Sequence, residues 1–229
     1  MISTKNDQKR DIKHITVEVE TLLTVFSTFI LGYLDVFSEQ YSGSAVVSAQ
    51  TGNLMQLGKT LAQRDFSGAL EHFSLFLGFA FGCGLAFLIA NFVKSPIKNW
   101  LIFSIIIYVT AILYSYLSID VMDLMLSASA GIALTFFRNM SGVDLNNGIH
   151  TGNLKNLWSS LVNVVIFRHK EDSGKLERFS IVIFCFLLGS FIGGLTLSMG
   201  PKMMLLLVSG MCLMVQVGLL IPHFYNSRI

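Results

Sequence analysis

Long apolar stretches of this chain hold no Asp, Glu, Lys or Arg, at residues 21–34, 72–93, 99–119, 179–201 and 203–227. Charge excluded in this way leaves few folds open. Roughly 20 apolar residues carry a helix across about 30 Å of hydrocarbon, and all but the first stretch reach that length unaided. The first reaches it with its flanks, from about Val17 to Phe37. A sixth, less hydrophobic segment runs from about 121 to 138. Charged residues make up 13% of the chain and hydrophobic ones 53%, whereas an ordinary soluble domain carries about 25% charge. The expectation is an all-α, polytopic membrane helical bundle with spans at about 17–37, 71–93, 99–118, 121–138, 178–199 and 203–222.

Between the spans lies a repeated polar element. Thr51-Gly52-Asn53 returns as Thr151-Gly152-Asn153, and leucines recur at 54/154, 57/157 and 61/161. Gly78-x-x-x-Gly82 and Gly189-x-x-x-Gly193 each fall in the span after an element, a spacing that lets helix backbones approach closely. Gly32 and Gly131 precede the elements by nearly equal distances. The chain therefore divides into a cytoplasmic tail (1–15), a first membrane repeat (16–118), a second (119–222) and a C-terminal tail (223–229). If each element dips into the bilayer and returns, a repeat holds three crossings and the halves are inverted. The tail lysines and arginine, Lys94/Lys98 and Arg168/Lys170/Lys175/Arg178 then share the inner side, with Asp120 and Asp123 outside. Lys59 and Arg64 point the other way, and the balance favours inversion. The apolar stretch after the tail lacks a small-residue cleavage site and reads as a span rather than a signal peptide.

Each element reads as a broken or extended segment ending at Thr-Gly, which starts an amphipathic helix. Its leucines share one face, while Gln56, Lys59 and Thr60, or Lys155, Asn156, Ser159 and Ser160, occupy the other. Irregular backbone at membrane depth is tolerated only inside protein or against a wet cavity. A helix start there offers free N–H groups and partial positive charge. Thr51, Gly52, Asn53, Thr151, Gly152 and Asn153, joined by Gln50, His150, Asp35, Gln56 and Asn156, are the candidate solute-binding residues. Two such starts near the midplane suit an anion, a zwitterion or another small polar solute better than a bulky lipid. The alternative is that Thr and Asn only cap two short helices. Asp35 reads either as an intramembrane acid or as an interfacial one.

Other chemistries find no footing. Cys83, Cys185 and Cys212 are solitary within apolar runs and read as inert thiols. No metal-ligand set, nucleophile elbow or phosphate loop is present, so neither an enzyme nor a cofactor is expected. A net charge of +2 without a basic, aromatic-interleaved patch argues against nucleic acid. The expected partners are the lipid bilayer, a small polar solute or ion, and, with only six spans per chain, a second copy in a homodimer.

Gly32-Tyr33-x-Asp35, Thr51-Gly52-Asn53-Leu54 with Leu57-Gly58, and Thr151-Gly152 with Leu154 and Leu157 resemble the YoaK-like family of uncharacterised bacterial multi-pass membrane proteins. The likeness covers most of the chain beyond the tail and implies a bacterial plasma-membrane protein. It departs at Ala133 and Leu134, where relatives carry a Gln-Asn pair. Two functions remain open on the sequence: a small-solute or ion transporter or channel, and a membrane scaffold or sensor whose repeated elements are structural.

Overall fold

The computed structural model describes residues 5–42, 46–145, 148 and 150–226; the turn residues Gly43, Ser44, Asn146 and Asn147 lie outside them. The described residues form α1 (Lys5–Tyr41), α2 (Gln50–Ala62), α3 (Phe66–Ala90), α4 (Pro96–Leu113), α5 (Ile119–Phe136), a two-residue hairpin of β1 (Asn139–Met140) and β2 (Val143–Asp144), α6 (His150–Val165), α7 (Ser173–Thr196) and α8 (Pro201–Asn226). Six segments are long and apolar enough to cross a bilayer: Val17–Tyr41, Phe66–Ala90, Pro96–Tyr116, Ile119–Phe136, Lys170–Met199 and Pro201–Leu220. Each overlaps one of the expected spans. The protein is thus an all-α polytopic bundle.

Local signals set the helix ends. Asp65 caps α3 by accepting the Gly68 N–H at 3.1 Å, satisfying one orphan donor of its first turn. Pro96 and Pro201 open α4 and α8, where a missing N–H costs nothing. The β1–β2 hairpin turns on Ser141 and Gly142, both with positive φ (49° and 85°), as a tight two-residue turn requires. Asn139 steadies it, accepting the Gly142 N–H at 2.9 Å.

Contacts between helices fix their directions. Ser42, just past the end of α1, donates to Asp123 near the start of α5 at 2.7 Å. Further back along the chain, Thr24 in the middle of α1 donates to the Asn139 carbonyl beyond α5 at 2.9 Å. Helices α1 and α5 are therefore antiparallel. On α3, Gly78 lies against Leu124 and Gly82 against Ala128; on α7, Gly189 lies against Phe29 and Gly193 against Tyr33. Helix α3 thus runs parallel to α5, and α7 parallel to α1. Since α3 begins on the side where α1 ends, α2 cannot cross. It dips in and returns, and α6 does the same from the opposite side.

The two glycine contacts share one geometry. A Cβ on Gly82 would lie 2.1 Å from the Ala128 carbonyl oxygen, and one on Gly131 2.3 Å from that of Phe79. A Cβ on Gly189 would lie 1.9 Å from the Phe29 oxygen, and one on Gly32 2.3 Å from that of Phe186. Cys83 Sγ then donates to the Gly131 carbonyl, and Ser190 Oγ to that of Gly32. The contacts match Gly82 to Gly189, one helical turn away from the pairing that the glycine motifs suggest. The core gathers around the buried rings of Tyr33, Phe37, Trp100 and Phe103, with Trp100 donating to the Cys212 carbonyl at 3.2 Å.

Candidate functional site

The two breaks meet. Ser48, two residues before α2, brings its hydroxyl, shared with Asp35, to 3.1 Å from the carbonyl of Gly148, two residues before α6. Only a residue without a side chain fits at 148, because a Cβ there would lie 2.5 Å from Ser48 Cβ. The first break is held against α1 by Asp35. Its carboxylate accepts the Ser48 backbone N–H at 2.9 Å and the Ser48 hydroxyl as well. Leu134 packs beside Gly148 in the second break. Asp35 is 6% exposed and lies in the last third of the Val17–Tyr41 span.

Beside the junction lies a cavity of about 450 Å³. Asp35 and Glu39 of α1 form one wall, the break residues Val46, Ala49 and Gly148 another, and His150, Thr151, Phe186 and Ser190 the third. Glu39 is exposed and Asp35 buried, and the pocket between them is broadly open to the outside. The His150 ring lies against Phe186 with centroids 4.1 Å apart. Among the described residues no Lys, Arg or His forms a salt bridge with Asp35.

The remaining expected residues divide by position. Thr51 is exposed and Gly52 half-buried, and neither belongs to the walls of the cavity. Gln50 turns inward, donating to the Val47 carbonyl at 2.9 Å and to Ser127 Oγ at 3.3 Å. Asn53 is buried and reaches back over its own break. It accepts the Val46 N–H at 3.3 Å and donates to the Val46 carbonyl at 2.7 Å and to Gln50 Oε1 at 3.2 Å. Asn153 is buried at the matching place in α6, Gly152 is half-buried, Gln56 is half-buried and Asn156 exposed. Thus Asp35, His150 and Thr151 come together, while Gln50 and Asn53 serve as anchors of the first break. Asn53→Ala is expected to lower stability by about 2 kcal/mol, because a buried backbone pair loses its partner. Thr51→Ala should stay within about 0.5 kcal/mol of the parent, both read by thermal melting in detergent.

One local expectation is corrected. The helices begin at Gln50 and His150, so Thr-Gly lies inside the first turn instead of before it, and the Gly52 N–H is already bonded to Ala49 O at 3.2 Å. The leucine stripe itself is exposed. Leu54 and Leu154 are each 47% exposed, with Met55, Leu61 and Trp158 exposed beside them, while Asn53, Thr60, Asn153 and Ser160 are buried. In a bilayer the outer face meets lipid and polar groups must find partners in protein, so the leucine stripe turns outward. Ser48, Gly148, Glu39, Phe186 and Ser190 were not anticipated. The one available signal was that Ser48 and Gly148 stand at the same distance before each Thr-Gly-Asn.

Among the described residues no group of three His, Cys, Asp or Glu is placed to hold a metal ion. The family described as "Protein of unknown function (DUF1275)" matches residues 23–218 of the chain. No curated protein and no solved structure matches it.

Proposed function

We propose a function for a chain that belongs to the DUF1275 family, proteins of unknown function, and take the site itself as guide: a transporter of small polar solutes, accessible from one side in this conformation. The observation that carries the reading is the cavity where the two breaks touch, walled by Asp35, Glu39, His150 and Thr151. Its size falls within the roughly 300–1,000 Å³ typical of small-molecule sites. Two carboxylates on one wall, facing hydroxyls and a helix start on the other, favour a solute with an amine or another strong donor over a simple anion. The chemistry needs no cofactor, and the reading is of a transporter rather than an enzyme.

The same reading takes the chain as two inverted repeats, α1–α4 and α5–α8. The antiparallel α1 and α5 and the matched glycine contacts support it. Inverted repeats that place broken helices at a shared central site are the plan of many secondary transporters. Lys94, Lys98, Arg168, Lys170 and Arg178 fall on the side of the α1 N-terminus. That supports a cytoplasmic N-terminus in a bacterial plasma membrane, as the likeness to the YoaK-like family implies, and a homodimer belongs to the same reading. The scaffold or sensor alternative has one observation in its favour: Asn53 and Gln50 spend their polar groups on the break itself.

Cysteine accessibility separates the two. In a background without Cys83, Cys185 and Cys212, Thr151→Cys is expected to react with a membrane-impermeant thiol reagent applied from the α1 C-terminal side. Phe184→Cys, on the outer face of α7, should stay unmodified. Protection of residue 151 from both sides would sink the transport reading.

A further inference from the structure

Three oxygens meet where the two breaks touch: Asp35 Oδ2, Ser48 Oγ and the Gly148 carbonyl. Ser48 Oγ lies within hydrogen-bond distance of both others, yet a hydroxyl carries one hydrogen and a carbonyl can only accept. The Asp35 carboxyl also receives the backbone N–H groups of Ser48 and Val47, and neither of these serves Gly148. Ser48 is wholly buried, so bulk water does not supply the missing hydrogen. Both contacts of Ser48 are satisfied together only when the second hydrogen sits on Asp35. The acid then donates to Ser48 Oγ, and Ser48 donates to Gly148.

Loss of that proton changes the pairing. An ionised Asp35 keeps the Ser48 hydroxyl for itself, because a hydrogen bond to a charged acceptor is roughly twice as strong as one to a neutral acceptor. The Gly148 carbonyl then faces the lone pairs of Ser48 Oγ with no hydrogen between them, and the two breaks repel. Asp35 lines the open cavity, so its proton leaves to water there and returns from it. The titratable groups that share the cavity are Glu39, one turn along α1, and His150 of α6. The first break and α7 contribute Val46, Ala49, Phe186 and Ser190, none of which titrates near neutrality.

We propose that Asp35, Ser48 and Gly148 form a proton-binding junction, closed when Asp35 carries its proton and parted when it does not. Release of the proton does two things at once. It frees the start of α6 from the first break, and it leaves a bare carboxylate on the cavity wall. A cationic amine and the proton then compete for one carboxyl group, so each amine bound displaces a proton into the cavity water. The proton is thereby the coupling ion, moving against the solute. That coupling rests on the transport reading, whereas the junction itself does not.

The test is hydrogen–deuterium exchange of the purified full chain in detergent, from about pH 5 to about pH 9, with protection corrected for the intrinsic rate at each pH. As pH rises, the start of α6, residues 150–155, is expected to lose about tenfold in protection, the worth of one hydrogen bond. The Ser48 amide, bonded to the carboxyl in both states, should keep its own. Asp35→Asn should hold the protected state throughout, since its amide donates to Ser48 Oγ as the protonated acid does. Ser48→Ala should be unprotected throughout, and Glu39→Gln and His150→Gln should respond like the wild type. Protection of residues 150–155 that ignores pH in the wild type overturns the proposal. So does a wild-type response in Asp35→Asn, or loss of the response in Glu39→Gln or His150→Gln. Should Asp35→Asn fail to fold, Ser48→Ala decides, and a wild-type response there overturns it too. The labelling of Thr151→Cys is read at a single pH, so the junction and the transport reading fail separately.

Discussion

Replacing Gly189 with leucine is expected to leave no folded protein to purify, and even Gly189→Ala should cost on the order of 3 kcal/mol. A single Cβ at this position would sit 1.9 Å from the Phe29 carbonyl oxygen, well inside van der Waals contact. The obstacle is backbone, not a side chain that can rotate away, so relief requires α7 to separate from α1. Separation would also pull Ser190 from the Gly32 carbonyl, which it reaches at 3.1 Å. The neighbouring glycines supply the controls. Gly194 has nothing within 4 Å of a built Cβ, so Gly194→Ala should be neutral or stabilising by up to about 1 kcal/mol through helix propensity. Gly193, whose nearest neighbours lie at 3.2 Å, should fall between them. Melting temperature and size-exclusion profile in detergent give the order. Equal tolerance of alanine at 189 and 194 would mean that α1 and α7 do not meet in this way.

That order shows where sequence and structure part. The spans were legible because hydrocarbon tolerates no loose charge, and the absence of Asp, Glu, Lys and Arg marks them directly. The re-entrant elements were legible as polar, glycine-bearing interruptions occurring twice. The glycine phase was not: the motif aligns Gly78 and Gly82 with Gly189 and Gly193, whereas the contacts align Gly82 with Gly189. A four-residue spacing fits either turn, and only the partner helix selects one. The burial of the element helices was not legible, because leucine stripes point inward in water and outward in lipid. Asp120 and Asp123 read alike, as two acids on the outer side. Three residues of α5 turn one of them into the bundle, where Asp123 is wholly buried, and no linear pattern distinguishes the two. Asn53 carried the strongest signal for a solute site and turned out to bind its own break, since a side-chain amide satisfies a backbone N–H and C=O as readily as a ligand.

Asp35 is the residue on which anchoring and solute binding converge, and its substitutions separate them. Asp35→Ala is expected to lower stability by about 3 kcal/mol, since the buried Ser48 N–H and hydroxyl both lose their carboxyl acceptor. For a chain of this size that corresponds to a fall in melting temperature of roughly 6–12 °C. The Ser48 hydroxyl keeps an outlet in the Gly148 carbonyl, so Ser48→Ala alone should cost less. The double variant should be milder than the sum, because both changes remove part of one interaction. Asp35→Asn tests the other half. An amide oxygen can still accept the Ser48 N–H, while the hydroxyl turns toward Gly148, so the fold and melting temperature should stay near the parent. What disappears is the carboxyl group on the wall of the cavity. Small amines and amino acids, screened as a panel, are expected to raise the melting temperature of the wild type through selective binding to the folded state and to leave Asp35→Asn unmoved. A panel that stabilises both proteins equally would confine Asp35 to holding the break. The cavity would then have to select its solute through Glu39, His150 and Thr151 alone.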